Sequence, residues 1–219
     1  MKKLFALAAI AATLPLHALA ADTVSWTTWA STGAGSFTQN SATVNVTYTG
    51  GVIGLDTWEN MYDVPSSFTN AAVTNTPTMA QGTLQMAGGD PTQLNTFHFD
   101  KAVIDPVIVL FSVGQGGVPV DFQFTGSVSF TVGAQGGGHW GGGTLVQAGN
   151  TVTGVEGNGL LQFTGSYTDI SFYTPHYENY YGATVGAMTA AVPEPETWAL
   201  MLVGLAGLGF AARRRAPQA

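Results

Sequence analysis

Apolar and polar positions alternate with a period of two in short runs along most of this chain. Residues 43–49 show it most plainly: Val44, Val46 and Tyr48 fall on one face of an extended segment, with Thr and Asn on the other. Further β-rich runs occupy 24–29, 83–86, 94–99, 107–113, 120–130, 160–163, 169–173 and 183–188, separated by clusters of Gly, Asn, Asp and Pro. The 107–113 run is apolar apart from Ser112, which predicts a central strand buried on both faces. Asn158-Gly159, the single Asn-Gly pair, predicts a tight hairpin turn. No sustained helical period precedes the C-terminal run. The pattern predicts an all-β fold: a single antiparallel β-sandwich, jelly-roll-like, over residues 21–191.

Two local features stand inside that pattern. The pentapeptide Gln-Phe-Thr-Gly-Ser occurs at 123–127 and again at 162–166, in the manner of two equivalent strand segments with a glycine bulge or of chance similarity between Gly- and Thr-rich strands. The glycine run at 136–143 predicts a flexible loop, with Trp140 at its tip as a candidate ligand contact.

Both ends of the chain break the pattern. Met1, Lys2 and Lys3 precede a mostly apolar stretch at 4–16, and Ala18-Leu19-Ala20 forms an A-x-A cleavage site, so residues 1–20 read as a secretory signal peptide cut after Ala20. At the other end Pro193, Glu194 and Pro195 lead into uncharged residues 197–212, closed by Arg213, Arg214 and Arg215. As a helix, 197–212 would span about 24 Å, short of the roughly 30 Å hydrocarbon core, which suits a transient inner-membrane anchor. The arginines would stay in the cytoplasm and Trp198 at an interface, orienting the body of the chain outward.

These residues resemble the PEP-CTERM sorting signal of Gram-negative bacteria: a Pro-Glu-Pro triplet, a short Gly- and Leu-rich apolar helix, and a terminal basic cluster, here covering residues 192–215. The resemblance implies an exosortase as processing partner, cutting near the triplet and passing the protein to the cell surface or the extracellular space. It also implies a setting of exopolysaccharide production and biofilm or floc formation. The segment 158–186 is similar to the ends of PEP-CTERM ectodomains, through Gln162, Phe163, Gly165, Pro175, Glu178, Asn179, Tyr181 and Gly182. No activity comes with that similarity; 175–182 reads as a structured corner with tyrosines against the core.

Composition then narrows the chemistry. There is no cysteine, which removes disulfides, thiolate metal sites, cysteine nucleophiles and cysteine-linked lipid. Between residues 22 and 192 eleven acidic residues face one basic residue, Lys101, so nucleic acid is excluded as a partner for want of a basic patch. His98-x-Asp100 and His176-x-Glu178 each place an imidazole and a carboxylate on one side of an extended strand, the spacing of a ligand pair. Nothing in the spacing makes the pairs converge, and no metal site is assigned. Glu156 and Glu178 are the carboxylates that glycoside hydrolysis would draw on. No G-x-S-x-G elbow is present, and a non-enzymatic protein is expected. No cofactor is expected; acidic turns such as Gly88-Gly89-Asp90 and Glu156-Gly157-Asn158 leave room for one structural calcium.

Two function classes follow. One is a structural or interaction protein of the cell surface or matrix. The other is a lectin-like carbohydrate-binding sandwich, with Trp140, Tyr177 and Tyr180 as the candidate contacts and Trp26, Trp29 and Trp58 as further stacking faces. Exposed aromatics would favour the second, buried tryptophans the first.

Overall fold

The computed structural model describes residues 23–189 and 201–205. Fifteen strands lie in the first span: β1 (Thr23–Trp26), β2 (Thr28–Ser31), β3 (Ala34–Gln39), β4 (Ala42–Thr49), β5 (Gly54–Asp56), β6 (Thr83–Met86), β7 (Asp90–Ile104), β8 (Pro106–Val113), β9 (Val120–Phe124), β10 (Phe130–Gly136), β11 (Leu145–Ala148), β12 (Thr151–Gly154), β13 (Gly157–Phe163), β14 (Ser166–Thr174) and β15 (Tyr181–Thr189). They form two antiparallel sheets. The seven-stranded sheet runs β10-β13-β8-β15-β6-β5, with β1 also on β15, and the eight-stranded sheet runs β11-β12-β9-β14-β7-β4-β3-β2.

The sheets face each other across one apolar layer, as in a sandwich. Val44, Val46 and Tyr48 of β4, Phe97 and Phe99 of β7, Phe122 and Phe124 of β9 and Phe172 of β14 meet Ile108 and Leu110 of β8, Phe163 of β13 and Tyr181 and Val185 of β15. The indole N–H of Trp29 crosses the layer to donate to Thr184 Oγ1 at 2.8 Å, so this buried ring carries a satisfied polar atom.

A second apolar cluster covers the outer face of the seven-stranded sheet. Strand β8 is buried along its whole length. Its even positions Ile108 and Leu110 enter the layer between the sheets, and its odd positions Val107, Val109 and Phe111 point outward beneath Met61, Tyr62, Phe68 and Val73 of the long β5–β6 connection. Two asparagines fasten that connection. Asn75 pairs with the backbone of Val24 on β1 in both directions at 2.8 Å, and Asn70 donates to Gly133 O and Gln162 Oε1. The amides supply hydrogen bonds that a segment without strand structure cannot obtain from a ladder.

Several expectations change. The 120–130 run is two strands on different sheets, β9 and β10, because the chain turns at Gly126 with φ +73°. Asn158 is not in a turn but buried within β13; the turn lies just before it, at Glu156 with φ +56°. The repeated pentapeptides end β9 and β13, one in each sheet, and each has its glycine at positive φ. Their phenylalanines, Phe124 and Phe163, meet edge-on across the sandwich with centroids 5.4 Å apart. The predicted helix at 197–212 lies mostly outside the described residues; 201–205 are helical, with Met201, Leu202, Val203 and Leu205 exposed. Among the described residues no helix is long and apolar enough to cross a membrane.

Candidate functional site

The glycine run, β8 and the segment between β14 and β15 meet at one end of the seven-stranded sheet. The site there begins with an irregularity in β8. Opposite Gly157 and Gly159 of β13, the register of β8 passes from Val113 to Leu110, leaving an extra residue on β8. Ser112 takes φ +50° at this bulge, a conformation unusual for a residue with a Cβ. Asn158 compensates: its Oδ1 accepts the Ser112 N–H at 2.9 Å, and its Nδ2 donates to Gly136 O and Glu156 O at 3.3 Å. The sequence preference for Asn at 158 therefore reflects a buried bulge, not a hairpin turn.

The glycine loop rests on this base. A Cβ at Gly138 would fall 2.4 Å from Asn158 Oδ1, and one at Gly141 would fall 2.6 Å from Glu156 Oε2, so glycine is required for the close approach. The loop is pinned at several points rather than free. Gly138 N donates to Gly141 O at 3.0 Å, Gly143 N to Glu156 O at 2.9 Å, Ser67 Oγ donates to Gly137 O, and His139 Nδ1 sits 3.0 Å from Asp63 Oδ2.

Trp140 is thereby held above the sheet. Its ring centroid lies 5.6 Å from Phe111 and 5.1 Å from Tyr180, the latter edge-on at 74°, and 39% of the residue stays exposed. The Tyr180 hydroxyl faces Asp56 and Gln85, and burial, reinforced by the charge of Asp56, holds it un-ionised. Tyr177 is brought elsewhere: it is 62% exposed and packs over Gly89. Of the three candidate contacts, Trp140 and Tyr180 form one aromatic surface and Tyr177 does not join it. Phe111, the floor of that surface, escaped the sequence reading; the two-sided burial of β8 was the signal for it, since an outward position at 111 follows from outward 107 and 109. Of the other tryptophans Trp26 and Trp29 are buried and Trp58 is exposed.

Glu156 and Glu178 both bond to Gly114 here: the Glu156 N–H donates to Gly114 O at 3.1 Å, and the Gly114 backbone hydrogen-bonds the Glu178 carboxylate. Glu178 is 1% exposed, and its Oε2 has no hydrogen-bond partner. Burial pushes its carboxyl up to about 8, and the nearby Glu156 charge adds to the rise, against backbone hydrogen bonding at Gly114 and Tyr180. Glu156 Oε2 lies 3.3 Å from Ser112 Oγ.

The histidine pairs differ from the spacing expectation. His98 Nδ1 contacts Asp169 Oδ1 across the β7–β14 ladder at 2.8 Å, while Asp100 accepts from the backbone and side chain of Asn45. His176 faces Asp121 at 3.7 Å rather than Glu178, which turns inward. For His98 a cross-strand neighbour lies closer than the residue two along the same strand; His176 lies past the end of β14, in a segment that is not a strand, so the two-residue spacing to Glu178 does not put both side chains on one side. Among the described residues no three His, Asp or Glu side chains gather into a metal-binding group. Asp90 closes a local turn with Thr92, whose hydroxyl and backbone N–H hold its carboxyl below the usual carboxylate pKa range.

A depression of about 300 Å³ lies away from this loop, between Asp105, Gln162 and Met188. Asp105 is committed there, accepting the Gly165 N–H at 2.7 Å.

Pro193, Glu194, Pro195, Arg213, Arg214 and Arg215, and the cleavage residues Ala18 and Ala20, lie outside the described residues. Residues 191–215 match the family model of the PEP-CTERM protein-sorting motif. The chain carries this motif, which implies processing by an exosortase and export toward the cell surface. No curated protein and no solved structure matches the chain.

Proposed function

We propose that the β-sandwich is a non-enzymatic structural and interaction module of the cell surface or extracellular matrix, delivered by exosortase processing in a Gram-negative host and lodged among exopolysaccharide. The observation that carries this reading is the junction: β15 ends at Thr189 and the sorting motif begins at 191, so the sandwich runs directly into its export signal. On this reading the signal peptide starts translocation, the 197–212 helix holds an inner-membrane intermediate, and cleavage near Pro193–Pro195 releases the folded part.

Intact mass and C-terminal peptide mapping of the protein recovered from the host surface or medium test it. An end between residues 192 and 196 is expected; a chain ending at Ala219 would overturn processing. Replacing Arg213, Arg214 and Arg215 by neutral residues, or Glu194 by Ala, is expected to stop the protein at the inner membrane. Normal appearance of either variant outside the cell would sink the sorting role.

One observation favours carbohydrate binding as a second reading. Trp140 is partly exposed, braced by Tyr180 and Phe111, and next to polar groups, the pairing of apolar platform and hydrogen-bonding rim that sugars use. Trp140→Ala is then expected to weaken binding to the host exopolysaccharide by about tenfold or more, as for a tryptophan anchor. Trp58→Ala serves as the exposed-tryptophan control, and equal binding by the wild type and Trp140→Ala would remove this reading.

A further inference from the structure

We propose that Glu178 and Glu156 form a binding site for a hard divalent cation, Ca²⁺ in the first place, at the foot of the glycine loop that carries Trp140. Two separate observations point there. Glu178 is fully buried, with a carboxyl oxygen that has no hydrogen-bond partner, a state that native proteins rarely leave unexplained and that an ion resolves. A second carboxylate belongs to the same turn: the Glu156 N–H donates to Gly114 O at 3.1 Å, and the Gly114 backbone hydrogen-bonds the Glu178 carboxylate, so two acidic side chains share one residue and would both gain from a cation.

No basic side chain is at hand to fill that role. Lys101 is the one Lys or Arg between residues 22 and 192, and its ammonium is bound to Thr43 O on the other sheet. The donor set is all oxygen: the two carboxylates, Ser112 Oγ on Glu156 Oε2, and backbone carbonyls such as Gly114 O, which accepts the Glu156 N–H at 3.1 Å. Cysteine is absent from the chain, and the His176 imidazole pairs with Asp121. Oxygen donors in a carbonyl-rich turn suit Ca²⁺, while softer ions prefer nitrogen and sulfur. Two carboxylates place the affinity in the weak range of extracellular calcium modules, about 10⁻⁴–10⁻³ M.

The site would act on the loop above it. Glu156 Oε2 is packed under Gly141 and the Glu156 carbonyl holds Gly143, so an ion drawing Glu156 inward fixes the C-terminal side of the segment that presents Trp140.

The test is a CaCl₂ titration of the full chain in neutral detergent at pH 8.5, read by thermal unfolding and by tryptophan emission, with Glu178→Gln, Glu156→Gln and Trp140→Phe alongside. The wild type is expected to gain roughly 4 °C or more in Tm at saturating ion. Each Gln variant should bind about tenfold or more weakly, since affinity follows the number of charged ligands. Trp140→Phe should keep the Tm gain but lose most of the emission change. No Tm gain in the wild type would overturn the site. An equal gain in the wild type and Glu178→Gln would also overturn it, placing the ion elsewhere on the acidic surface.

Discussion

Phe122→Ala is expected to cost about 3–5 kcal/mol of folding stability, a large share of the roughly 5–15 kcal/mol that holds a domain of this kind together. The ring is fully buried at the centre of the sandwich, with centroids 5.0 Å from Phe172 on its own sheet and 5.2 Å, edge-on, from Tyr181 on the facing sheet. Removing it opens a void flanked by rigid rings on opposing sheets, which can collapse little toward each other, so the cavity contribution adds to the lost burial. Urea unfolding of the wild type, Phe122→Ala and Phe122→Leu measures it, and Phe122→Leu should lose clearly less. A loss under about 1 kcal/mol for Phe122→Ala would mean that the ring is not gripped from both sheets.

The second large effect is on the pH dependence of stability. Glu178 titrates at an ordinary 4.5 when unfolded and near 8 when folded, so between these values the folded chain keeps a proton that the unfolded chain has released. The contribution of this group is fully present below pH 4.5 and is lost as pH rises through 8, with a slope of at most about 1.4 kcal/mol per pH unit. Glu178→Gln cannot ionise and lacks that slope. Wild type and variant should therefore match at acid pH and diverge toward pH 8.5, where the variant is the more stable. The exposed carboxylates Asp90 and Asp100, held low by Thr92 and Asn45, act with the opposite sign as pH falls, and equally in both proteins. Parallel stability curves from pH 5 to 8.5 would show that Glu178 is ionised in the folded state throughout.

Much of the sandwich was legible because period-two patterning is a direct projection of strand geometry. The inward face of β4 and the two-sided burial of β8 follow from residue order alone. Strands β3, β5, β11 and β12 were missed: the last three are only three or four residues long, and β3, Ala-Gly-Ser-Phe-Thr-Gln, has Phe37 as its one large apolar residue, so alternation does not register. The covering of the seven-stranded sheet by residues 57–82 was hidden for another reason. Met61, Tyr62, Phe68 and Val73 share no period, and what places them is side-chain bonding by Asn70 and Asn75 to distant strands. The candidate site was legible only in pieces. Trp140, Tyr180, Glu156 and Glu178 each stood out by type, yet their meeting depends on a bulge at Ser112 and on strand order, which no local spacing encodes.

Strand β15 is the last of the described strands and also an interior one, bonded to β8 on one side and to β6 and β1 on the other. The first strand pairs with it end to end, Thr23 opposite Thr189. The seven-stranded sheet therefore cannot close while the chain is only partly synthesised or partly translocated, because its middle is the last segment to arrive. In a chain that carries an export motif directly after β15, residues 181–189 are thus both the neighbours of that motif and the segment that completes the sheet.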